Sequence, residues 1–280
     1  MDLIEGYAHW DPSRLPEGNF IMNEVLDMKT DTMIVFYLGD SLIIDWVMPD
    51  LASSNIPMNF AGWKIISHPT VPPSYPPSEV FPHSPVGIFE FDTQRRTYIE
   101  AERFTAGYGY WLYSPVDTTA TIAGVELTNY SMNLYPGWNL IGATSASILV
   151  DDICTSEEDV IIGSIYDYDC ETGAYEEATA LEPGKGYWLF AARNAILSVP
   201  SGSMYCKAFA TPAEPEWIGN IKVNGTPLLF GYSDMAKTGI DRMDIVMPPA
   251  SPERTTETAL IRDGFNMRQD ISSAQQWTAL

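Results

Sequence analysis

Hydrophobic and polar positions in this chain fall in short alternating runs. Phe89-Glu90-Phe91-Asp92 and Tyr166-Asp167-Tyr168-Asp169 set an aromatic against an acid at every second position. That is the period of a strand with one buried face and one wet face. Asp169-Cys170-Glu171-Thr172-Gly173 then supplies turn residues before a further strand at Ala174–Ala178, so a hairpin is expected there. Pro183-Gly184 marks another turn. Behind it, Tyr187-Trp188-Leu189-Phe190 is apolar on both faces, which predicts a central strand. The 21 prolines and 20 glycines follow no period, as many short strands joined by turns require. The expected class is all-β.

The alternation itself recurs. Gly62-Trp63-Lys64-Ile65-Ile66 returns as Gly137-Trp138-Asn139-Leu140-Ile141, 75 residues on. Gly107-Tyr108-Gly109-Tyr110-Trp111-Leu112-Tyr113 returns as Gly184-Lys185-Gly186-Tyr187-Trp188-Leu189-Phe190, 77 residues on. From Ile88 the match runs without a gap: Tyr98 falls on Tyr175, Glu100 on Glu177 and Phe104 on Leu181. A fixed period of this kind marks a repeated structural unit. Phe36 precedes Trp63 by the same 27 residues that separate Trp111 from Trp138, which places Ile34–Leu38 and Leu42–Val47 on the second half of a module. The expected organisation is a partial β module over 1–57, repeat modules over 58–128 and 129–200, and a different β domain over 201–280. Each repeat, with about five strands, suits a small sandwich or barrel. Lys64 and Ser67 depart from the pattern where the second copy has Asn139 and Gly142.

The loop after each Gly-Trp strand differs between copies. The first holds seven prolines from Pro69 to Pro85; the second, Ser145 to Asp159, is rich in serine and acids. Loops that vary on a repeated scaffold are where contacts with partners tend to sit. In the last domain, Asn224-Gly225 is a hairpin signal, and Phe230 to Pro249 reads as loop, with short strands again from 258.

The Gly-Trp-Asn-Leu-Ile-Gly strand (137–142), followed by Gly-x-Gly-Tyr-Trp-Leu (184–189), resembles a module of large secreted and surface-anchored prokaryotic proteins. Leu229-Phe230-Gly231, Ala236, Asp241, Asp244 and Pro248-Pro249 are similar to the segment that often follows such modules, usually in an immunoglobulin-like or fibronectin-like sandwich. The resemblance implies an extracellular setting and an immunoglobulin-like C-terminal domain, and it transfers no catalytic residue.

Charge narrows the partners. With 37 acidic against 15 basic residues the net charge is −22, and the stretch between Phe104 and Gly184 holds 13 acids and no Lys or Arg. Such a surface repels nucleic-acid phosphates and anionic membranes. No apolar run is long enough to span a bilayer. The start, Met1-Asp-Leu-Ile-Glu, has no signal-peptide pattern. Of the three cysteines, Cys154 and Cys170 stand close enough in sequence to bridge; the other reading is three buried thiols.

No nucleophile elbow or metal motif is present, and His9, His68 and His83 lack a neighbouring nucleophile. Asp167 and Asp169 share a strand face about 7 Å apart, a spacing within reach of a glycosidase pair, but Glu90 and Asp92 repeat the arrangement; a copied feature reads as a solvated face. Oxygen ligands for calcium are available at Asp151-Asp152, Glu157-Glu158-Asp159, Asp167-Asp169-Glu171 and Asp241/Asp244, although none forms an EF-hand loop. Trp63, Trp111, Trp138 and Trp188 recur and are expected in the core, whereas Trp10, Trp46, Trp217 and Trp277 are less constrained and could stack on sugars. Asn129-Tyr130-Ser131 and Asn224-Gly225-Thr226 match the glycosylation pattern. The expected function is a non-enzymatic extracellular structural protein, a surface or filament subunit that associates with itself or with other surface proteins. A glycan-binding ancillary module is the alternative, and a glycoside hydrolase the remote third.

Overall fold

The computed structural model describes residues 21–27, 32–37, 40–45, 52–58, 61–71, 76–82, 84–116, 118–200, 202, 206–253 and 258–273. Apart from one helical turn, α1 (Pro77–Val80), and a 3-10 turn at Val150–Asp152, its regular structure is strand. β1 (Ile21–Asp27), β2 (Thr32–Tyr37) and β3 (Asp40–Asp45) form an antiparallel meander. The first repeat contains β4 (Ala52–Met58), β5 (Gly62–Ser67), β6 (Thr70–Val71), β7 (Ile88–Asp92), β8 (Thr97–Glu100), β9 (Gly109–Ser114) and β10 (Thr118–Glu126). The second contains β11 (Tyr130–Leu134), β12 (Gly137–Ile141), β13 (Ile148–Leu149), β14 (Cys154–Thr155), β15 (Tyr166–Asp169), β16 (Ala174–Glu177), β17 (Ala180–Leu181), β18 (Tyr187–Ala191) and β19 (Ala195–Val199). The last domain contains β20 (Trp217–Val223), β21 (Thr226–Tyr232), β22 (Ile245–Val246), β23 (Leu260–Arg262) and β24 (Phe265–Ser272).

The two repeats share one topology. A four-stranded sheet runs β5-β9-β7-β8 in the first and β12-β18-β15-β16 in the second; a three-stranded sheet runs β4-β10-β6 and β11-β19-β14. The two faces of the central strands β9 and β18 enter different cores, which is why residues 110–112 and 187–191 are buried on both faces. Tyr187 and Leu189 point into the second repeat's own sandwich with Met132, Leu134 and Leu197. Tyr110 and Leu112 do the same in the first, against Ile122 and Phe104. Their neighbours Trp111, Trp188 and Phe190 enter a third core that both repeats build together. One hydroxyl bond is copied as well: Tyr110 Oη accepts from the Thr105 amide and Tyr187 Oη from the Glu182 amide, each at 2.7 Å.

The repeats are joined by backbone, not strung as beads. Ile66 pairs with Lys185, and the equivalent Ile141 pairs with Tyr108. The Ser67 amide donates to Gly184 O at 2.9 Å, and the equivalent Gly142 amide to Gly107 O at 2.8 Å. Such reciprocity is that of an approximate two-fold axis, and glycine is required at it. A Cβ on Gly109 would stand 2.6 Å from Ile141 O; on Gly186 it would meet Ile65 Cγ2 at 2.5 Å and Ile66 O at 2.7 Å. The departure at Ser67 has its reason here. A Cβ on Gly142 would lie 2.8 Å from that of Ser67, so only one of these two equivalent positions can carry a side chain, and Ser67 uses its Oγ to accept from the Ala143 amide at 3.1 Å.

Three expectations are revised. The Cys154–Cys170 bridge does not form: Cys154 on β14 pairs with Cys206, with Cα atoms 5.5 Å apart, and Cys170 remains a thiol. Cys170 follows β15 on the four-stranded sheet while β14 belongs to the three-stranded one, so short sequence separation did not mean proximity. The bridge fastens residues 206–210, which run beside the second repeat through Val160 N to Ala208 O (3.0 Å) and Ala210 N to Ile161 O (2.8 Å), beyond the expected edge at 200. At the other end, the edge at 57/58 cuts β4, which pairs with β10 over seven residues. Finally, β2 and β3 hydrogen-bond to each other, whereas β9 and β10, the strands they were matched to, lie in separate sheets.

In the last domain the Asn224-Gly225 hairpin forms, with both φ values positive (51° and 84°), as a two-residue turn that follows strand twist requires. Among the described residues its strands make one mixed sheet, with β21 and β24 parallel; a facing second sheet of an immunoglobulin-like sandwich is not among them.

Three outcomes follow for stability. Gly186→Ala should cost about 1–3 kcal/mol by overpacking against backbone that cannot yield, whereas Gly202→Ala, with nothing within 4 Å, should be near neutral in chemical denaturation. Reduction, or Cys206→Ser, opens a link between positions 52 residues apart and should cost about 4 kcal/mol on a loop-entropy basis, with Cys170→Ser unchanged. Buried His68, its Nδ1 3.0 Å from Thr70 O and Oγ1, has its pKa lowered to about 4 by desolvation, which the Thr70 backbone bond only partly opposes. The unfolded chain therefore takes up this proton first, and stability is lost as pH falls from 6.5 toward 4, by about 3 kcal/mol in all. His68→Gln should remove that slope relative to wild type in denaturant melts at pH 7 and pH 4.5.

Candidate functional site

The shared core is aromatic because each repeat lends rings to the other. Trp111 meets Tyr168 of the second repeat at 4.8 Å between centroids, and the equivalent Trp188 meets Phe91 of the first at 4.9 Å, both T-shaped. That arrangement sets a positive ring edge on a negative face and contributes about 0.5–1.5 kcal/mol per pair beyond burial. The four recurring tryptophans divide as expected for core residues: Trp111, Trp138 and Trp188 are buried. Trp63 is half-buried and donates Nε1 to Glu253 at 3.0 Å.

The last domain closes this core. Val246, Met267, Leu260 and Phe265 pack into it, Phe265 edge-on to Phe190 at 5.1 Å and beneath the Arg96 guanidinium at 3.9 Å. Across the junction of the repeats lies the segment from Met247 to Glu253. Tyr98 donates its hydroxyl to Ala250 O at 2.5 Å, and its repeat equivalent Tyr175 donates to Pro249 O. Two clefts flank this segment. One of about 280 Å³ is lined by Phe91, Tyr98, Trp138 and Phe265; the other, about 530 Å³, by Tyr166, Tyr168, Tyr175, Leu228 and Val246, with Glu177 and Arg268 at exposed positions.

The acids do not converge. Asp92 Oδ1 accepts from the Arg95 amide at 2.9 Å, and the equivalent Asp169 accepts from the Glu171 amide at 2.8 Å and from Thr172 Oγ1 at 2.7 Å. Both are turn caps, and those bonds lower their pKa, the Arg95 amide leading for Asp92 and the Thr172 hydroxyl for Asp169. Asp167 pairs with Lys185 at 2.5 Å, Glu157 with Arg193 at 2.9 Å and Asp159 with Lys207 at 3.0 Å. Burial raises the pKa of Glu90, with Asp92 adding to it. Asp151 and Asp152 sit in the 3-10 turn. Among the described residues no three His, Cys, Asp or Glu side chains are grouped to hold a metal ion.

Asp241 and Asp244 are buried and act as backbone staples. Asp241 accepts from the Lys237 and Met243 amides at 2.6 and 2.8 Å; Asp244 accepts from the Asp241 and Ile271 amides at 2.9 and 2.8 Å, with Arg262 at 3.7 Å. Donors face these oxygens, the opposite of a cation's needs. Burial pushes the Asp244 pKa up to about 6, and the two amides and Arg262 pull part of that back.

Among the remaining candidates, His9, His83, Trp10, Trp46 and Trp277 lie outside the described residues. Asn129 is exposed, and Asn224 sits in the β20–β21 turn. Trp217 opens β20, the feature that sequence reasoning missed. Among the described residues β20 ends its sheet, with β21 as its neighbour, and Trp217, Ile218, Ile221 and Val223 are 45, 48, 50 and 38% exposed. Only its run of apolar residues on both faces could have flagged it.

Compared with family models, curated proteins and solved structures, the chain shows no significant match to any of them. Asp244→Ala would leave the Asp241 and Ile271 amides without their acceptor and should cost about 3 kcal/mol. Hydrogen exchange of the Ile271 amide should rise with it.

Proposed function

We propose that this chain is a non-catalytic structural protein of the cell exterior that joins copies of itself by strand addition at β20. The observation that carries the reading is that edge. A seven-residue strand whose outer side meets no other strand among the described residues, with apolar residues exposed on both faces, is a template for another strand unless something blunts it. β20 holds no proline, and Lys222 is its one charge. An antiparallel second copy centred on Asn220 would set Trp217 opposite Val223 and Gly219 opposite Ile221 on one face. The same register brings Lys222 diagonally beside Glu216 of the other copy, an opposite-charge neighbour.

The Cys154–Cys206 disulfide supports an oxidising compartment, where such links persist. Asp92 and Asp169 cap turns, Asp167, Glu157 and Asp159 pair with Lys or Arg, and Asp241 and Asp244 staple backbone, a pattern that favours scaffold over catalyst. No helix among the described residues is long and apolar enough to cross a membrane. The resemblance to secreted prokaryotic modules points the same way as the disulfide. The described aromatics lie mostly in the private cores, in the shared core and around the Met247–Glu253 segment, and the exposed Trp217 stands on β20 itself, so self-association has firmer support than glycan binding.

Sedimentation over a wide concentration range tests this. Wild type should gain mass with concentration, and more so when salt is raised, because screening weakens the repulsion between chains of charge −22. Ile218→Lys with Ile221→Lys should hold the protein monomeric at an unchanged melting temperature. A wild type that stays monomeric throughout removes the proposal.

A further inference from the structure

The aromatic face that closes the two repeats has the make-up of a receptor for proline-rich chain, and its present occupant is part of the same molecule. Met247-Pro248-Pro249-Ala250-Ser251-Pro252-Glu253 has no regular secondary structure, and three of its seven residues are proline. Proline has a fixed φ and no N–H, so such a chain offers mainly its carbonyls for hydrogen bonding and its rings for packing. The face supplies the matching groups. Tyr175 and Tyr98 donate to the consecutive carbonyls of Pro249 and Ala250, and Trp63 Nε1 donates to the Glu253 carboxylate. Pro248 is buried beside Tyr168 and Tyr175. Aromatic grooves with hydroxyl and indole donors are a general way of reading extended proline-rich peptides.

Two further observations separate this face from an ordinary seam between domains. The two tyrosine donors are equivalent positions of the repeat, so the groove exists only where both copies meet, and it is held rigid by the reciprocal Trp111–Tyr168 and Trp188–Phe91 contacts. The occupant also leaves it underfilled, with clefts of about 280 and 530 Å³ on its two sides, walled by Phe91, Trp138, Tyr166 and Tyr168. These are large enough to take the rings of a longer ligand.

We propose that the paired repeats are a binding site for extended proline-rich peptides, that residues 247–253 are its resident ligand, and that a partner peptide binds by displacing them. The resident segment lowers the affinity a partner sees by the fraction of time it holds the groove, and weakening it exposes the site. This goes beyond self-association at β20 and uses different residues.

The test is fluorescence anisotropy on the full chain with a labelled peptide of the sequence of residues 247–253. Wild type should bind it weakly. Pro248→Ala with Pro249→Ala should bind roughly tenfold more tightly, and adding Tyr98→Phe and Tyr175→Phe should cancel that gain. A probe with its prolines replaced by alanine should lose a similar factor. Should the double proline variant not fold, Glu253→Ala, which frees only the exposed end, should still raise affinity about threefold. The proposal is overturned if neither folded variant gains affinity, or if the gain survives loss of both tyrosine hydroxyls. Ile218→Lys with Ile221→Lys should leave peptide binding untouched, so this idea and the edge-strand reading stand or fall separately.

Discussion

The close approach of two backbones at the junction of the repeats is the constraint on which the rest of the molecule depends. Strand ends from one copy hydrogen-bond to the Gly-x-Gly segment of the other, in both directions. Contact at that distance excludes side chains: Gly109, Gly186 and Gly142 each face backbone or Cβ atoms at 2.6–2.8 Å from where a Cβ would sit. The repeated glycine is therefore a record of an interface between copies. It also explains one departure between the copies, since the Ser67 side chain takes the space that a Cβ at Gly142 would need.

From that junction the aromatic core follows. Once the four-stranded sheets lie edge to edge, their outer faces meet, and the tryptophan of each copy finds its partner ring in the other. The last domain then covers the remaining rings, tied by Tyr98, Tyr175, Trp63 and Arg96 to its backbone or carboxylate. Each repeat keeps a private core between its own sheets. The third core has no owner, so neither copy is complete alone.

Electrostatics act at the margins. A chain of charge −22 places its few cations against particular acids, as at Lys185–Asp167 and Lys207–Asp159, and exposed pairs of this kind contribute little. The buried ionisable groups matter more. His68 and Asp244 are both desolvated, but they shift in opposite senses, so their contributions to acid stability oppose each other.

Much of the architecture was legible in the residues alone. Period-two alternation gave strands, Asn224-Gly225 gave a hairpin, and the offsets of 75 and 77 gave two units of one topology, because these signals are local or are copied along the chain. The repetition of the Glu90/Asp92 and Asp167/Asp169 pairs pointed to a solvated strand face; that Asp92 and Asp169 cap turns came from the structure. What the sequence could not determine were the long-range pairings. Cys154 joined Cys206 and not Cys170 because the shorter separation crosses from one sheet to the other. Tyr98 and Tyr175 were visible as equivalents, yet their meeting on adjacent carbonyls needed two-fold packing and a third domain. The Asn224-Gly225 turn was readable as a hairpin signal; that β20 ends its sheet among the described residues was decided by tertiary packing. Local chemistry determines which segments extend and turn, and only tertiary packing decides which of them touch.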